Sequence, residues 1–272
     1  MPAINLARLK QQSNQLVVLY DQPDKFVYEL HTLFDLYADR THRPGQAGEP
    51  PSLIKTYYVP KPVVRQILND LTQYVDQYPI EILTLSDRLW AEPFLEFRLL
   101  AIALVGLIRN INPEVVMETI NNWLGAQPES RVMLVLLDQG LASMRRYHPH
   151  IVQKQIDNWL ESSNFTQQAY GLRTLIPFLS ASPLNDLPQY LRALTPFVRV
   201  APLPIRPDIV EALSHLARRS PKETSYFLRS NLEVSDNPDT ASLIRQILGE
   251  FPDDIQENLR VALRQRAVRM SG

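Results

Sequence analysis

The chain has 272 residues, no cysteine and a formal net charge of −1. These values exclude a disulfide framework, thiolate catalysis and zinc sites built on thiolate, and they speak against a strongly basic nucleic-acid footprint. The absence of cysteine fits a reducing, cytoplasmic setting, and with 45% apolar and 21% charged residues the sequence reads as an ordinary globular protein. Glycine is scarce (8) and proline plentiful (22), where average usage would give about 19 and about 14. Tight strand turns need glycine, whereas a helix tolerates proline at its first position because that amide has no partner there. The sequence therefore predicts an all-α fold.

The first helix is expected over residues 4–19 and the second over 25–37. The N-terminus lacks the uninterrupted apolar stretch of a secretion signal. Thr41 to Tyr57 holds the most turn-rich stretch, read as a flexible loop, so residues 1–56 form an N-terminal helical cap and loop. Further helices are expected over 61–77, 79–91, 94–109, 113–125, 129–147, 149–162, 165–180, 184–199, 207–219, 221–232, 238–249 and 253–267. Val64, Ile67, Leu68, Leu71 and Val75 recur at helical spacing with polar residues between them. Leu99 to Ile108 is apolar all round, as in a helix held between neighbours, and at ten residues it is too short to span a bilayer. Asn112-Pro113, Asn237-Pro238 and Ser220-Pro221 read as capped helix starts. Residues 57–267 are expected to form the repeat body and 268–272 a tail.

The three tryptophans, Trp90, Trp123 and Trp159, stand 33 and 36 residues apart. Two of them close similar phrases, Asn112-Pro-Glu-Val-Val-Met-Glu-Thr-Ile-Asn-Asn-Trp-Leu124 and His148-Pro-His-Ile-Val-Gln-Lys-Gln-Ile-Asp-Asn-Trp-Leu160. Leu194 and Leu232 continue the series. Self-similarity at this period marks stacked helix pairs that bury one another's apolar faces, here a HEAT-like α-α superhelix of about six pairs. The drift in spacing argues against the stricter 34-residue tetratricopeptide register. Tryptophans at one phase of such a repeat serve as inter-repeat core rather than as base-stacking residues.

Several stretches, in shared order, carry a family resemblance. Tyr57-Tyr-Val-Pro-Lys-Pro-Val-Val-Arg65, Leu89-Trp-Ala-Glu-Pro-Phe-Leu-Glu-Phe-Arg-Leu-Leu-Ala-Ile-Ala-Leu-Val-Gly106 and Trp159-Leu-Glu-Ser-Ser-Asn164 resemble motifs of the DNA alkylation repair glycosylases, which are built from HEAT-like repeats. The resemblance covers roughly Tyr57 to Arg266 and implies a concave face that meets duplex DNA. The family also carries a Trp-Asp-x-Val-Asp segment whose last Asp stabilises charge developing on the deoxyribose. Ser130-Arg-Val-Met-Leu-Val-Leu-Leu-Asp138 stands there, without the Trp, and Asp138 matches only after a slip of about one helical turn. For the family's Trp-x-x-Arg-x-Ala, this chain has Phe165 for Trp and Gln168 for Arg. A further family Trp lies near Val210-Glu211-Ala212, where no aromatic stands.

Three readings follow. The first is a DNA-binding family member without the usual catalytic set, its cations Arg131, Arg145, Arg146, Arg218 and Arg219 meeting phosphates beside Phe165 and Gln168. The second is an active alkylpurine glycosylase with a rearranged site that uses Asp138 and Phe165. The third is a protein-interaction scaffold, which near-neutral charge favours. Each residue also has a structural role open to it: a mid-helix Asp is commonly solvated, and the arginine pairs end helices, where cations relieve the dipole. Arg260, Arg264, Arg266 and Arg269, with no acid among residues 258–272, read equally as part of a basic rim or as a mobile basic tail. His148-Pro-His150 reads as a helix start, with no third ligand for a metal. No Gly-rich phosphate loop, Gly-x-Ser-x-Gly elbow or His-Glu-x-x-His is present. No cofactor, metal or membrane partner is expected, and the chain is expected to be a monomer.

Overall fold

The structure, a computed structural model, describes residues 5–41, 54–181, 187–234 and 237–271. Most of the loop expected over Thr41–Tyr57, and the first residues of the helix expected over 184–199, lie outside them. The described chain is all-α, and its one β-type contact is an isolated bridge between Lys55 and Phe94. It divides into two compact units, Met1–Val152 and Gln153–Gly272.

The first unit contains α1 (Leu6–Val17), α2 (Pro23–Tyr37), α3 (Lys61–Val75), α4 (Pro79–Trp90), α5 (Leu95–Val105), α6 (Pro113–Gly125), α7 (Ser130–Val135) and α8 (Ala142–Tyr147). Helix α9 (Pro149–Glu161) begins at its end. The second unit continues with α10 (Phe165–Ala181), α11 (Leu187–Arg199), α12 (Arg206–Arg219), α13 (Pro221–Leu232), α14 (Thr240–Ile247) and α15 (Asp253–Ser271). Within each unit a helix packs on its neighbour and on the next but one, as α3 does on α4 and α5, and α12 on α13 and α14. That is the connectivity of a two-layer helical repeat stack.

Proline opens many of these helices, including α2, α4, α6, α9 and α13, because its fixed φ suits a first turn whose amides lack partners. The Asn112 side chain accepts from the Glu114 amide at 3.1 Å and caps α6. The start expected at Asn237-Pro238 is shifted: α14 begins at Thr240 behind Asp239, which makes no capping hydrogen bond, and the buried Asn237 side chain instead accepts from the Thr240 amide at 3.2 Å from the preceding turn. Ser220 does not act as a cap: it is buried between α12 and α13, and its hydroxyl has no partner. Helix α5 is buried at Phe97, Leu100, Ala101, Ile102, Leu104 and Val105, which accounts for its apolar circumference.

The repeat anchors are core. Trp90, Trp123 and Trp159 are buried, as are Leu194 and Leu232. Trp90 and Trp123 stack with centroids 4.5 Å apart and rings within 4° of parallel. The Trp123 indole N–H donates to Asp87 at 2.8 Å, and the Arg98 guanidinium lies over Trp90. Trp159 meets Tyr170 edge-on across the α9–α10 pair. The middle of α1 is tied to α3 by Asp70, which accepts from Lys10 and Ser13 of α1 and from Gln66 of its own helix.

The single helix expected over 129–147 is broken. Leu136–Gly140 is a π segment between α7 and α8, and the cause is tertiary. The backbone carbonyl of Gln139 presses on Gly106, where a Cβ would stand 2.1 Å from it. The Ser143 amide then donates to the Gly106 carbonyl at 3.1 Å, so the end of α5 and the start of α8 share backbone hydrogen bonding.

Candidate functional site

Asp138 sits in the π segment, and among residues 130–147 it is the lone carboxylate. Its side chain is 61% exposed and lies 3.2 Å from the Arg145 guanidinium, whose side chain is only 10% exposed. Arg145 also donates to the Leu137 carbonyl at 3.1 Å. Widening the helix frees carbonyls of its hydrogen-bond ladder, and a cation from the next turn is a natural partner for one. Burial pushes the Arg145 guanidinium below its ordinary pKa, and Asp138 opposes that shift. Arg145 therefore faces inward and holds the π segment together.

In the second unit, Phe165 opens α10. The Asn164 side chain caps that helix by accepting from the Thr166 amide at 2.8 Å. Phe165 is 45% exposed, unusual for a large aromatic ring. Gln168 stands one turn further on. Its amide nitrogen donates to the Ser162 carbonyl at 2.7 Å, and its side-chain oxygen is buried without a partner. Gly171 lets α10 approach α9 closely, since a Cβ there would meet the Leu160 side chain at 2.8 Å.

The other sequence-nominated cations are distributed over both units. Arg131 is exposed at the start of α7. Arg146 is exposed and covers the Tyr147 ring. In the second unit, Arg218 pairs with Glu250 at 2.7 Å, both partly exposed, and Arg219 neighbours it at the end of α12. His148 and His150 face each other edge-on with centroids 6.5 Å apart. Among the described residues no group of three or more His, Asp or Glu side chains is placed to hold a metal. No helix among them is long and apolar enough to cross a membrane.

The structure thus brings Asp138 and Arg145 together, and it sets Phe165 and Gln168 on one helical turn. Sequence reasoning missed the inward turn of Arg145, because an arginine ending a helix has the same spacing whether it points to solvent or to a backbone carbonyl. It also missed Asp87, which burial pushes above the ordinary carboxylate pKa while the Trp123 indole pulls it down.

These elements, a stack of helix pairs with a broken helix bearing Asp138 and a capped helix opening on Phe165, define the class of helical-repeat proteins. A comparison with protein-family models matches residues 51–260 to the DNA alkylation repair enzyme family, and the chain belongs to that family. No curated protein and no solved structure matches it.

Proposed function

We propose that this protein engages duplex DNA, as a member of a DNA alkylation repair family, without excising bases through the family's usual residues. Family membership supports the first half of this reading, and the Asp138–Arg145 ion pair is the observation that carries the second. Excision of a cationic purine passes through an oxocarbenium-like transition state, which a nearby carboxylate stabilises by its negative field. A guanidinium within ion-pair distance cancels much of that field. At the position of the family's arginine, Gln168 supplies neither charge nor fork, and its amide is tied to a backbone carbonyl.

Recognition is a separate matter from chemistry. Phe165 offers an exposed ring, and an aromatic face stacks on any base, worth about 1–3 kcal/mol. Arg131, Arg146, Arg218 and Arg219 are the cations proposed to meet phosphates, and the Arg218–Glu250 pair is exposed enough to exchange partners. Arg145 is not among them, since its charge already serves Asp138 and the Leu137 carbonyl.

The second reading, a rearranged glycosylase, draws on the 61% exposure of Asp138 and on its π segment, a feature common at functional sites. Release of 3- or 7-alkylpurine from methylated duplex DNA separates the two. The expected result is duplex binding with release no faster than the spontaneous rate. Release that Asp138→Asn abolishes would establish the second reading. Failure to bind duplex at about 50 mM salt would leave the protein-scaffold reading.

A further inference from the structure

The four C-terminal arginines do not act as one basic tail. Helix α15 runs on to Ser271 and divides them. Arg260 pairs with Glu257 at 3.3 Å, and Arg264 reaches the same carboxylate at 3.8 Å. Arg266 and Arg269, one turn apart, instead line a cavity of about 310 Å³ together with Arg229, Leu232, Glu233 and Ala262. The cavity lies between α13 and α15, wholly within the second unit.

Its polarity is set by a fixed charge. The Arg266 guanidinium donates to the carbonyls of Leu232 and Asn237, just where α13 ends. That anchoring satisfies the end of the helix and fixes the guanidinium at the cavity wall. Arg229 and Arg269 have no carboxylate partner among the described residues. Three arginines against one glutamate leave the lining with a net charge of +2. Glu233 offsets only one of the three cations, and the repulsion that remains is relieved when a further anion enters.

We propose that this cavity binds a terminal phosphate group. A phosphate monoester carries about −1.5 to −2 at neutral pH, which balances the lining, and its planar faces of oxygens suit guanidinium forks. A backbone diester carries one charge and must continue on both sides, which a cavity between two helices does not favour. The size is at the lower end for small-molecule sites, enough for a phosphate with an apolar or ring portion against Leu232 and Ala262. The same chemistry has two sources, a free nucleoside monophosphate and the 5′-phosphate end of a nucleic-acid strand.

Calorimetric titration of the intact protein with adenosine monophosphate tests this, with the cyclic monophosphate as the diester control. Expected are binding of the monoester in preference to the cyclic diester, roughly tenfold weakening in Arg269→Ala and in Arg229→Gln, and tightening in Glu233→Gln. Both arginines are exposed, so these variants should fold as the parent does, which circular dichroism checks. Affinity should also fall below about pH 6, where the monoester takes up a proton and arginine does not change. Displacement of the nucleotide by a duplex with 5′-phosphate ends, but not by one with 5′-hydroxyl ends, assigns the strand end as a source. No displacement by either assigns the free nucleotide. No binding at about millimolar nucleotide, equal affinity for the diester, or indifference to both arginine variants would overturn the proposal. Because none of these residues is among those proposed to meet duplex DNA, failure here is distinguishable from failure of that reading.

Discussion

The Asp138 carboxylate and the Arg145 guanidinium, seven residues apart, form an ion pair at 3.2 Å across the junction of the π segment with α8. The two partners are unequal: Arg145 is nearly buried, while Asp138 reaches solvent. Removing Asp138 leaves a largely buried cation with only the Leu137 carbonyl, whereas removing Arg145 leaves an exposed carboxylate that water can serve. Arg145→Ala nevertheless loses both the carbonyl contact and side-chain packing, so it should lower stability by about 2–3 kcal/mol in urea unfolding. Asp138→Asn keeps a polar partner and should cost less than about 1 kcal/mol. The reverse order would mean that Asp138, rather than Arg145, holds the segment.

Gly106 should tolerate no side chain. The Cβ of an alanine would collide with the Gln139 backbone carbonyl, and backbone cannot swing aside as a long side chain can. Gly106→Ala should destabilise by about 3 kcal/mol, and Gly125→Ala, with open space around it, should not destabilise. Thermal unfolding of the two variants side by side checks this.

Asp87 is expected to cost stability when ionised, since its folded pKa lies above its ordinary value. That unfavourable contribution is present above the folded pKa and disappears as pH falls below the unfolded one. At pH 7, Asp87→Asn should therefore leave the melting temperature unchanged or raise it, because the amide oxygen still accepts from the Trp123 indole. Asp87→Ala should lower stability by about 1 kcal/mol or more, because it strands a donor of a buried ring.

Asp70 has the opposite sign. Burial pushes its pKa up, but hydrogen bonds from Lys10, Ser13 and Gln66 more than offset this, and the net direction is downward. Its contribution is complete above the unfolded value near about 3.9 and is lost as pH falls through the lower folded value. Asp70→Asn should be less stable than the parent at pH 7, and the difference should shrink below about pH 4. Unfolding midpoints measured from pH 7 to pH 2.5 would show it; a constant gap would contradict it.

Much of this architecture is legible in the sequence. Proline at helix starts, scarce glycine and the tryptophan spacing predict the helices, and the ring-on-ring contact of Trp90 with Trp123 is the repeat made physical. What the sequence does not convey depends on distant backbone. The apolar pattern from Ser130 to Tyr147 suits an unbroken helix, and only the approach of Gly106 to Gln139 explains the π segment. Likewise, nothing in the spacing of Arg260, Arg264, Arg266 and Arg269 tells that one pair meets Glu257 while the other lines a cavity.

Phe165→Ala separates recognition from scaffold. The ring is exposed, so its loss should leave the unfolding free energy within about 0.5 kcal/mol of the parent. Duplex affinity should fall by roughly tenfold, as expected for one lost stacking contact. Unchanged affinity would remove Phe165 from the interface.

A protein that holds duplex DNA through phosphate contacts, as proposed for this one, loses affinity steeply as salt is added. With about four phosphates neutralised by arginines, fluorescence anisotropy should record a roughly hundredfold loss of affinity between about 50 and about 200 mM salt. An affinity that does not change over that range, or no binding at its lower end, would contradict the account.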